Sequence, residues 1–277
     1  MRSTLGIATA ITLVAGAGLA QDQSTLNIEG EPMVTEVTAP AHMENVDTIY
    51  SGWRFRSLET QALETDDFDN PAMVFVDQAI DLWDKVDGAA NKACSSCHEG
   101  GVEEFAGLRA SMPQVRDGAL VTMEDLVNDC RTDRMEAEPW KWSSGQMTAM
   151  TALIGLQSRG MPVDVKIDGD AAPFWEQGKE LYYTAVGQLQ MSCSNCHEDN
   201  YGVMIRADHL SQGQINGFPT YRLKNAKLNS SHGRFKGCMK NIRATPYAEG
   251  GPEFKSLELY LASRGQGLSV ETPSVRN

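Results

Sequence analysis

Cys94-Ser95-Ser96-Cys97-His98 and Cys193-Ser194-Asn195-Cys196-His197 place one spacing, C-x-x-C-H, twice in a single chain. That spacing is the attachment site of a c-type haem. Two thiols add across the vinyl groups of the porphyrin, and the adjoining imidazole becomes the proximal ligand of the iron. Cys94, Cys97, Cys193 and Cys196 therefore read as thioether positions, and His98 and His197 as iron ligands, for two covalently bound haem c groups. The competing use of these residues is one four-thiolate zinc site built from both pairs. A histidine directly after each pair, with no further C-x-x-C in the chain, favours haem.

Outward from the motifs the chain repeats itself. His98 and His197 are 99 residues apart, and the same offset relates Phe75 to Phe174, Gln78 to Gln177, Leu82 to Leu181, Trp83 to Tyr182 and Glu99 to Glu198. Phe75, Ala79, Leu82 and Trp83 fall at helical spacing, as do Phe174, Gly178, Leu181 and Tyr182. Each set predicts an amphipathic helix leading into the haem turn. Leu156-Gln157-Ser158-Arg159-Gly160 resembles Leu261-Ala262-Ser263-Arg264-Gly265, each closing an apolar helical stretch with glycine past its end. The expected fold is mainly α, two tandem class I cytochrome c-like haem domains at 70–161 and 171–277. A linker of Pro, Gly and acids, 162–170, joins them, and an N-terminal extension, 21–69, precedes them. A chain of 277 residues is long enough for two such cores.

Residues 1–20 have the pattern of an export signal. Arg2 is the only early charge, Ile7 to Leu19 is apolar, and Gly18-Leu19-Ala20 suits cleavage after Ala20. A retained N-terminal anchor is the alternative, but the stretch is short for a bilayer and nothing later offers a membrane span. Export to the periplasm agrees with haem c, which bacteria attach outside the cytoplasm. Beyond residue 20 there are 37 acids against 23 bases, a formal charge of −14. That balance argues against nucleic acid as a partner.

Two cysteines remain, one per half. Cys130 lies 33 residues past Cys97, and Cys238 lies 42 past Cys196. Each also follows an apolar-Pro pair, Met112-Pro113 and Phe218-Pro219. In ordinary class I cytochromes c a methionine from this region reaches the distal face of the iron. Three readings compete: a Cys130–Cys238 disulfide, suited to an exported protein; two inert buried thiols; or thiolate ligation of both irons. Matching placement in each repeat favours ligation. Met112, Met123, Met204, Met239, His209 and His232 stand as other distal candidates, with core-filling or surface roles expected for most.

The two cysteines differ in surroundings. Residues 124–133 around Cys130 are mostly acidic. Between Asp208 and Glu249 lie 40 residues without a carboxylate, carrying Arg222, Lys224, Lys227, Arg234, Lys236, Lys240 and Arg243. A cleft of one sign concentrates ligands of the other, although part of this charge can serve haem propionates. Arg234, four residues before Cys238, has a planar fork suited to a sulfonate. Gly233 and Gly237 around it predict an irregular loop. A thiolate near cations is the reactive form, and Cys238 could carry an added sulfur as a persulfide.

Both C-x-x-C-H motifs, the single downstream cysteines and the run Ser231-His232-Gly233-Arg234-Phe235-Lys236-Gly237-Cys238 resemble the SoxA family, dihaem subunits of the periplasmic SoxAX cytochromes of thiosulfate-oxidising bacteria. The resemblance extends from Trp53-Arg54 to Ser263-Arg264-Gly265. It implies an L-cysteine S-thiosulfotransferase that oxidatively joins thiosulfate to a cysteine thiol of the carrier SoxYZ. It further implies a monohaem SoxX subunit as partner and a soluble cytochrome c as acceptor of two electrons. Carried over by position, His98 and Cys130 would ligate the first iron, and His197 and Cys238 the second. Cys238 would carry the persulfide and Arg234 would hold substrate. A plain dihaem electron carrier is the rival reading; it explains the motifs but not the spare cysteines or the basic island.

Overall fold

The computed structural model describes residues 25–206 and 208–277; the export signal expected at 1–20 lies outside them. Eight α-helices order these residues: α1 Leu58–Ala62, α2 Met73–Trp83, α3 Met123–Asp129, α4 Gly145–Leu156, α5 Ala172–Tyr183, α6 Cys193–His197, α7 Ser231–Asn241 and α8 Pro252–Arg264. Short two- and three-stranded sheets join them.

The duplication governs the helices. α2 and α5 start 99 residues apart and bury equivalent faces, Val76, Ala79 and Trp83 in one and Trp175, Gly178 and Tyr182 in the other. Phe75 and Leu82 pack at the edge of the first core and Phe174 at the edge of the second. α2 packs on α4, and α5 packs on α8. Gly178 allows a close second crossing, because it has no side chain to hold the helices apart. A Cβ there would lie 2.0 Å from the Ser256 carbonyl oxygen.

Each haem turn is likewise tied to its half twice. Gly88 and Gly187 both have positive φ, and a Cβ on either would run into the Met135 or Ile242 carbonyl, at 2.0 and 2.4 Å. The adjoining amides of Ala90 and Leu189 donate to those same two carbonyls. The loop before each C-x-x-C-H motif is thereby docked on the segment just after each spare cysteine. The motifs differ locally. Ser192 accepts from the Asn195 amide and makes the second motif a full helical turn, α6. Ala93 has no such acceptor, and the first motif tightens to a 3-10 turn, Cys94–Ser96.

The halves interlock. The first core takes in Leu228 from the second half, and the second core takes in Ala110 and Leu120 from the first. The buried Arg109 guanidinium donates to the carbonyls of Ile215 and Phe218 at 2.7 and 3.2 Å. Within 162–170, Val163 and Val165 are buried, and the Val163 and Asp164 amides donate to Leu268 and Ala110. The extension wraps over the body. Two small hairpins, 26–33 and 36–50, lead to the buried Trp53, and the Gln212 amide brackets Thr48 and Tyr50. Buried Glu64 accepts from the Val275 amide and pairs with Arg276. This contact secures the last strand, Ser274–Arg276, which lies parallel to Thr220–Arg222. The antiparallel strand Lys227–Asn229 completes that sheet and leads toward α7.

Candidate active site

α7 is the element that makes the second half chemical. Ser230 caps it, its hydroxyl accepting from the Gly233 amide at 3.1 Å. The irregular loop expected from Gly233 and Gly237 is not formed; the segment is helical. Each interior glycine costs about 1 kcal/mol against alanine. The cap and the burial of His232 and Phe235 offset that cost. Gly233 also allows close approach, since a Cβ there would lie 3.0 Å from Ser143 Oγ. With the helix formed, Arg234 and Cys238 stand one turn apart on one face.

His197 closes α6 with its imidazole already oriented. Its Nδ1 is 2.7 Å from the Ser211 carbonyl oxygen. A carbonyl only accepts, so Nδ1 carries the proton and Nε2 is left as the donor atom toward a ligand. Gly213, at φ +82°, seats the ring; a Cβ there would be 3.0 Å from His197 Cγ. Cys238 hydrogen-bonds with His197 and lies within Coulombic reach of Cys193 and Cys196. Burial raises the Cys238 thiol, but Arg234, the His197 contact and Arg222 together outweigh it and bring the group down to about 7. The other thiols move the opposite way. Burial pushes Cys193 up to about 12, and Cys94, Cys196 and Cys130 upward too.

In the first half, Cys130 opens a π-helical turn, Cys130–Arg134, that extends α3. The residue is exposed overall, yet partial desolvation of its sulfur, with Cys97 and Asp129, pushes the thiol up against the weaker opposing pull of Arg134. It lies near Cys94 and Cys97. His98 contacts the rings of Trp83 and Phe105 at 5.6 and 4.9 Å, and its Nδ1 is 3.4 Å from Glu104 Oε2.

The structure thus gathers Cys193, Cys196, His197, Arg234 and Cys238 in one place, and Cys94, Cys97 and Cys130 in another. All six cysteines are free thiols, so the disulfide alternative is not realised. Among the described residues no group of three or more His, Cys, Asp or Glu side chains is arranged around a bare metal ion. The four-thiolate zinc alternative fails with it, because Cys94 packs on the first core and Cys193 on the second. The thiols of Cys193 and Cys196, raised by burial, beside an imidazole whose Nδ1 is tied to Ser211 and whose Nε2 is left toward Cys238, fit haem c. The other distal candidates are engaged elsewhere. Met112 and Met123 fill the first core, Met239 packs on the second, and Met204 and His209 are exposed. His232 is buried, with Nε2 3.0 Å from Glu258 Oε2, Nδ1 accepting from the Gly250 amide, and its ring stacked on Trp142.

The basic island thins on folding. Lys224, Lys227, Lys240 and Arg243 face solvent and Lys236 leans on Glu249; Arg222 and Arg234 turn to the thiol. A third guanidinium comes from a place no local pattern marks. Arg56, in the extension, is buried and within Coulombic reach of Arg222 and Arg234. Its distance along the chain from the island hides it from sequence reading.

A family model described as the SoxA/TsdA cytochrome c domain matches residues 78–163. The chain is 56% identical to the L-cysteine S-thiosulfotransferase subunit SoxA of Paracoccus pantotrophus, over 98% of this chain and 96% of that relative. It is 51% identical to the subunit of the same name from Rhodovulum sulfidophilum, over 100% of both. The crystal structure of SoxXA from P. pantotrophus superposes with a TM-score of 0.88, covering 91% of this chain and 97% of that one. Identity of this height along nearly the whole length, together with the C-x-x-C-H turns and the cysteine-bearing α7, shows that the chain belongs to the SoxA family of L-cysteine S-thiosulfotransferase subunits, thiosulfate-oxidising proteins built on a haem c domain.

Proposed function

We propose that the protein is a periplasmic dihaem subunit that conjugates thiosulfate to a cysteine thiol of a SoxYZ-like carrier, with α7 as its active element. The observation that carries this reading is the pairing of a half-buried, acidified Cys238 with an Arg234 guanidinium that makes no ion pair or side-chain hydrogen bond among the described residues. Cys94, Cys97 and His98 would hold one haem c and Cys193, Cys196 and His197 the other, with Cys130 and Cys238 on the distal sides. Haem c, when bound, supplies one-electron acceptance. A SoxX-like monohaem subunit is the partner proposed, by likeness to the SoxXA crystal structure. Export follows from the signal pattern at 1–20.

Arg234 docks the sulfonate oxygens of thiosulfate beside the Cys238 sulfur. The Cys238 thiolate and thiosulfate form one S–S bond and release two electrons to a c-type cytochrome, leaving a thiosulfonate on Cys238. The carrier thiolate then attacks the sulfane sulfur, the bond to Cys238 breaks, and Cys238 leaves as thiolate. The sum is carrier thiol plus thiosulfate giving carrier S-thiosulfonate, one proton and two electrons. A low thiol pKa keeps Cys238 a good nucleophile and a good leaving group. A Cys238 persulfide would follow the same balance with its terminal sulfur in the attacking place. Cys130, among acids and exposed, has no anion cradle and would serve as a structural ligand.

Arg234→Ala tests the reading. Thiosulfate turnover should fall strongly with both haem spectra unchanged. Mass spectrometry of the Cys238 peptide should find one added sulfur or a thiosulfonate after turnover. Loss of haem on substitution, or a Cys238 peptide that never changes mass, would contradict it.

A further inference from the structure

Arg222 is placed by the three-stranded sheet, paired across from Lys227 on one side and Arg276 on the other. Its Nε donates to the Asn277 carbonyl at 2.8 Å, which anchors the planar group by one edge. Its Nη2 is 3.8 Å from Asp208 Oδ2, too far for a hydrogen bond. The reason lies across the carboxylate. Arg56 bonds the other oxygen of Asp208 through Nη1, and its Nε and Nη2 donate to the Gly52 and His209 carbonyls, so each of its three nitrogens is engaged. Arg56 is therefore held at all three nitrogens and only 4% exposed, whereas Arg222 is 17% exposed and, among the described residues, hydrogen-bonds through Nε alone. Asp208 is held by Arg56, and Arg222 lies within Coulombic reach of Arg234.

The charge count gives this arrangement its meaning. Arg56, Arg222 and Arg234 lie within Coulombic reach of one another, with Asp208 and the Cys238 sulfur as the opposing groups and Arg276 as a further cation beside Arg56. Guanidinia gathered in a half-buried setting repel one another unless an anion enters. Arg222 and Arg234 each lie within Coulombic reach of Cys238. One guanidinium matches one negative charge, and thiosulfate carries two.

We propose that Arg222 is a second anion-binding residue that completes, with Arg234, a two-guanidinium clamp for a dianionic tetrahedral oxyanion, and that Arg56 is a positioning residue that keeps Asp208 from claiming it. This rests on the reading of Cys238 and Arg234 as the thiosulfate site. It gives the N-terminal extension a chemical role, and it makes the site selective for a dianion over a monoanion of the same shape.

Steady-state kinetics of the holoprotein with its partner subunit test it, using Arg222→Gln, Arg222→Lys, Asp208→Asn and Arg234→Ala, each first checked for unchanged haem spectra. Arg222→Gln should raise the KM for thiosulfate about tenfold, the scale of one charge-assisted hydrogen bond, with kcat changed by less than about threefold. The inhibition constant of sulfate, a dianion without a sulfane sulfur, should rise in parallel. Arg222→Lys should recover part of the loss, since it keeps the charge and loses the fork. Asp208→Asn should lower the KM, because it removes the competing carboxylate. A merely structural Arg222 would give equal losses in Gln and Lys and leave the sulfate constant unmoved. If Arg234→Ala raises the KM and Arg222→Gln does not, the clamp is overturned and the thiosulfate site stands. If neither moves it, both fall.

Discussion

α3 and α7 are the same helix in two settings. Cys130 and Cys238 are 108 residues apart, and the offset runs back through Leu126 and Arg234, Glu124 and His232, to the caps Thr122 and Ser230. Both helices begin with a hydroxyl cap and bear a cysteine near their own C-x-x-C-H motif. What differs is the residue one turn before the cysteine. Leucine at 126 joins the apolar edge of the first core, and arginine at 234 stays unpaired beside the second thiol. Around Cys130 two aspartates stand against one arginine, Arg134, and around Cys238 the near charges are guanidinia. A duplicated scaffold thus yields two thiols of opposite character, because a thiol's charge state follows its neighbours and its burial rather than its place in a repeat.

The strongest way to break that comparison is to remove each sulfur in turn. Cys238→Ala should cut thiosulfate turnover by about a hundredfold or more, as loss of a reacting group does, while Cys130→Ala should cost less than about tenfold. Equal losses in the two variants would mean that both halves work on the substrate. A smaller effect separates the two helix crossings. Gly178→Ala puts a methyl against the Ser256 carbonyl and should cost about 1–3 kcal/mol by forcing α5 from α8. Ala79→Gly, at the matching place in α2, should cost only about 1 kcal/mol in helix propensity and lost contact. Thermal unfolding of the two variants reads the difference.

The smallest effect concerns the seam where the halves meet. Glu124 on α3 is buried facing Glu258 on α8, with His232 on α7 opposite. Burial and Glu258 push its carboxyl up to about 7 from an ordinary value of 4.5. The folded state then holds a proton that the unfolded chain releases. Its contribution to stability is complete below about 4.5 and is lost as the pH rises through about 7. Stability should decline across that window by at most about 1.4 kcal/mol per pH unit from this group. Glu124→Gln should flatten the decline in denaturant melts; an unchanged slope would show that another group carries it.

Much of this was legible along the chain. The haem turns, α2, α5 and the repeat were readable because they rest on contiguous patterns: a five-residue motif and the 3.6-residue period of a buried stripe. The exact face was less so. Val76 and Trp175 lie fully in the cores, while Phe75 and Phe174 sit at their edges. Gly233 and Gly237 misdirected the reading of α7, since local propensity there is overruled by the Ser230 cap and by Phe235 and His232 packing inward. Of the basic island's seven cations the sequence marks out Arg234 by its place one turn before Cys238, and folding adds Arg222 to it.

By itself, then, the sequence determined that two C-x-x-C-H turns stand in a repeated helical frame, that each repeat has one cysteine to spare, and that only Cys238 has an arginine one turn before it, where Cys130 has a leucine. These are short-range facts, set by covalent spacing and helical periodicity. Tertiary structure alone decided that Arg56 and Asp208 come to Arg222 and Arg234, that Arg222 hydrogen-bonds through Nε alone among the described residues, and that Glu124 and His232 meet in the seam. Those depend on segments more than a hundred residues apart being brought together by burial of apolar surface, which fixes where charges meet without being written in any local pattern.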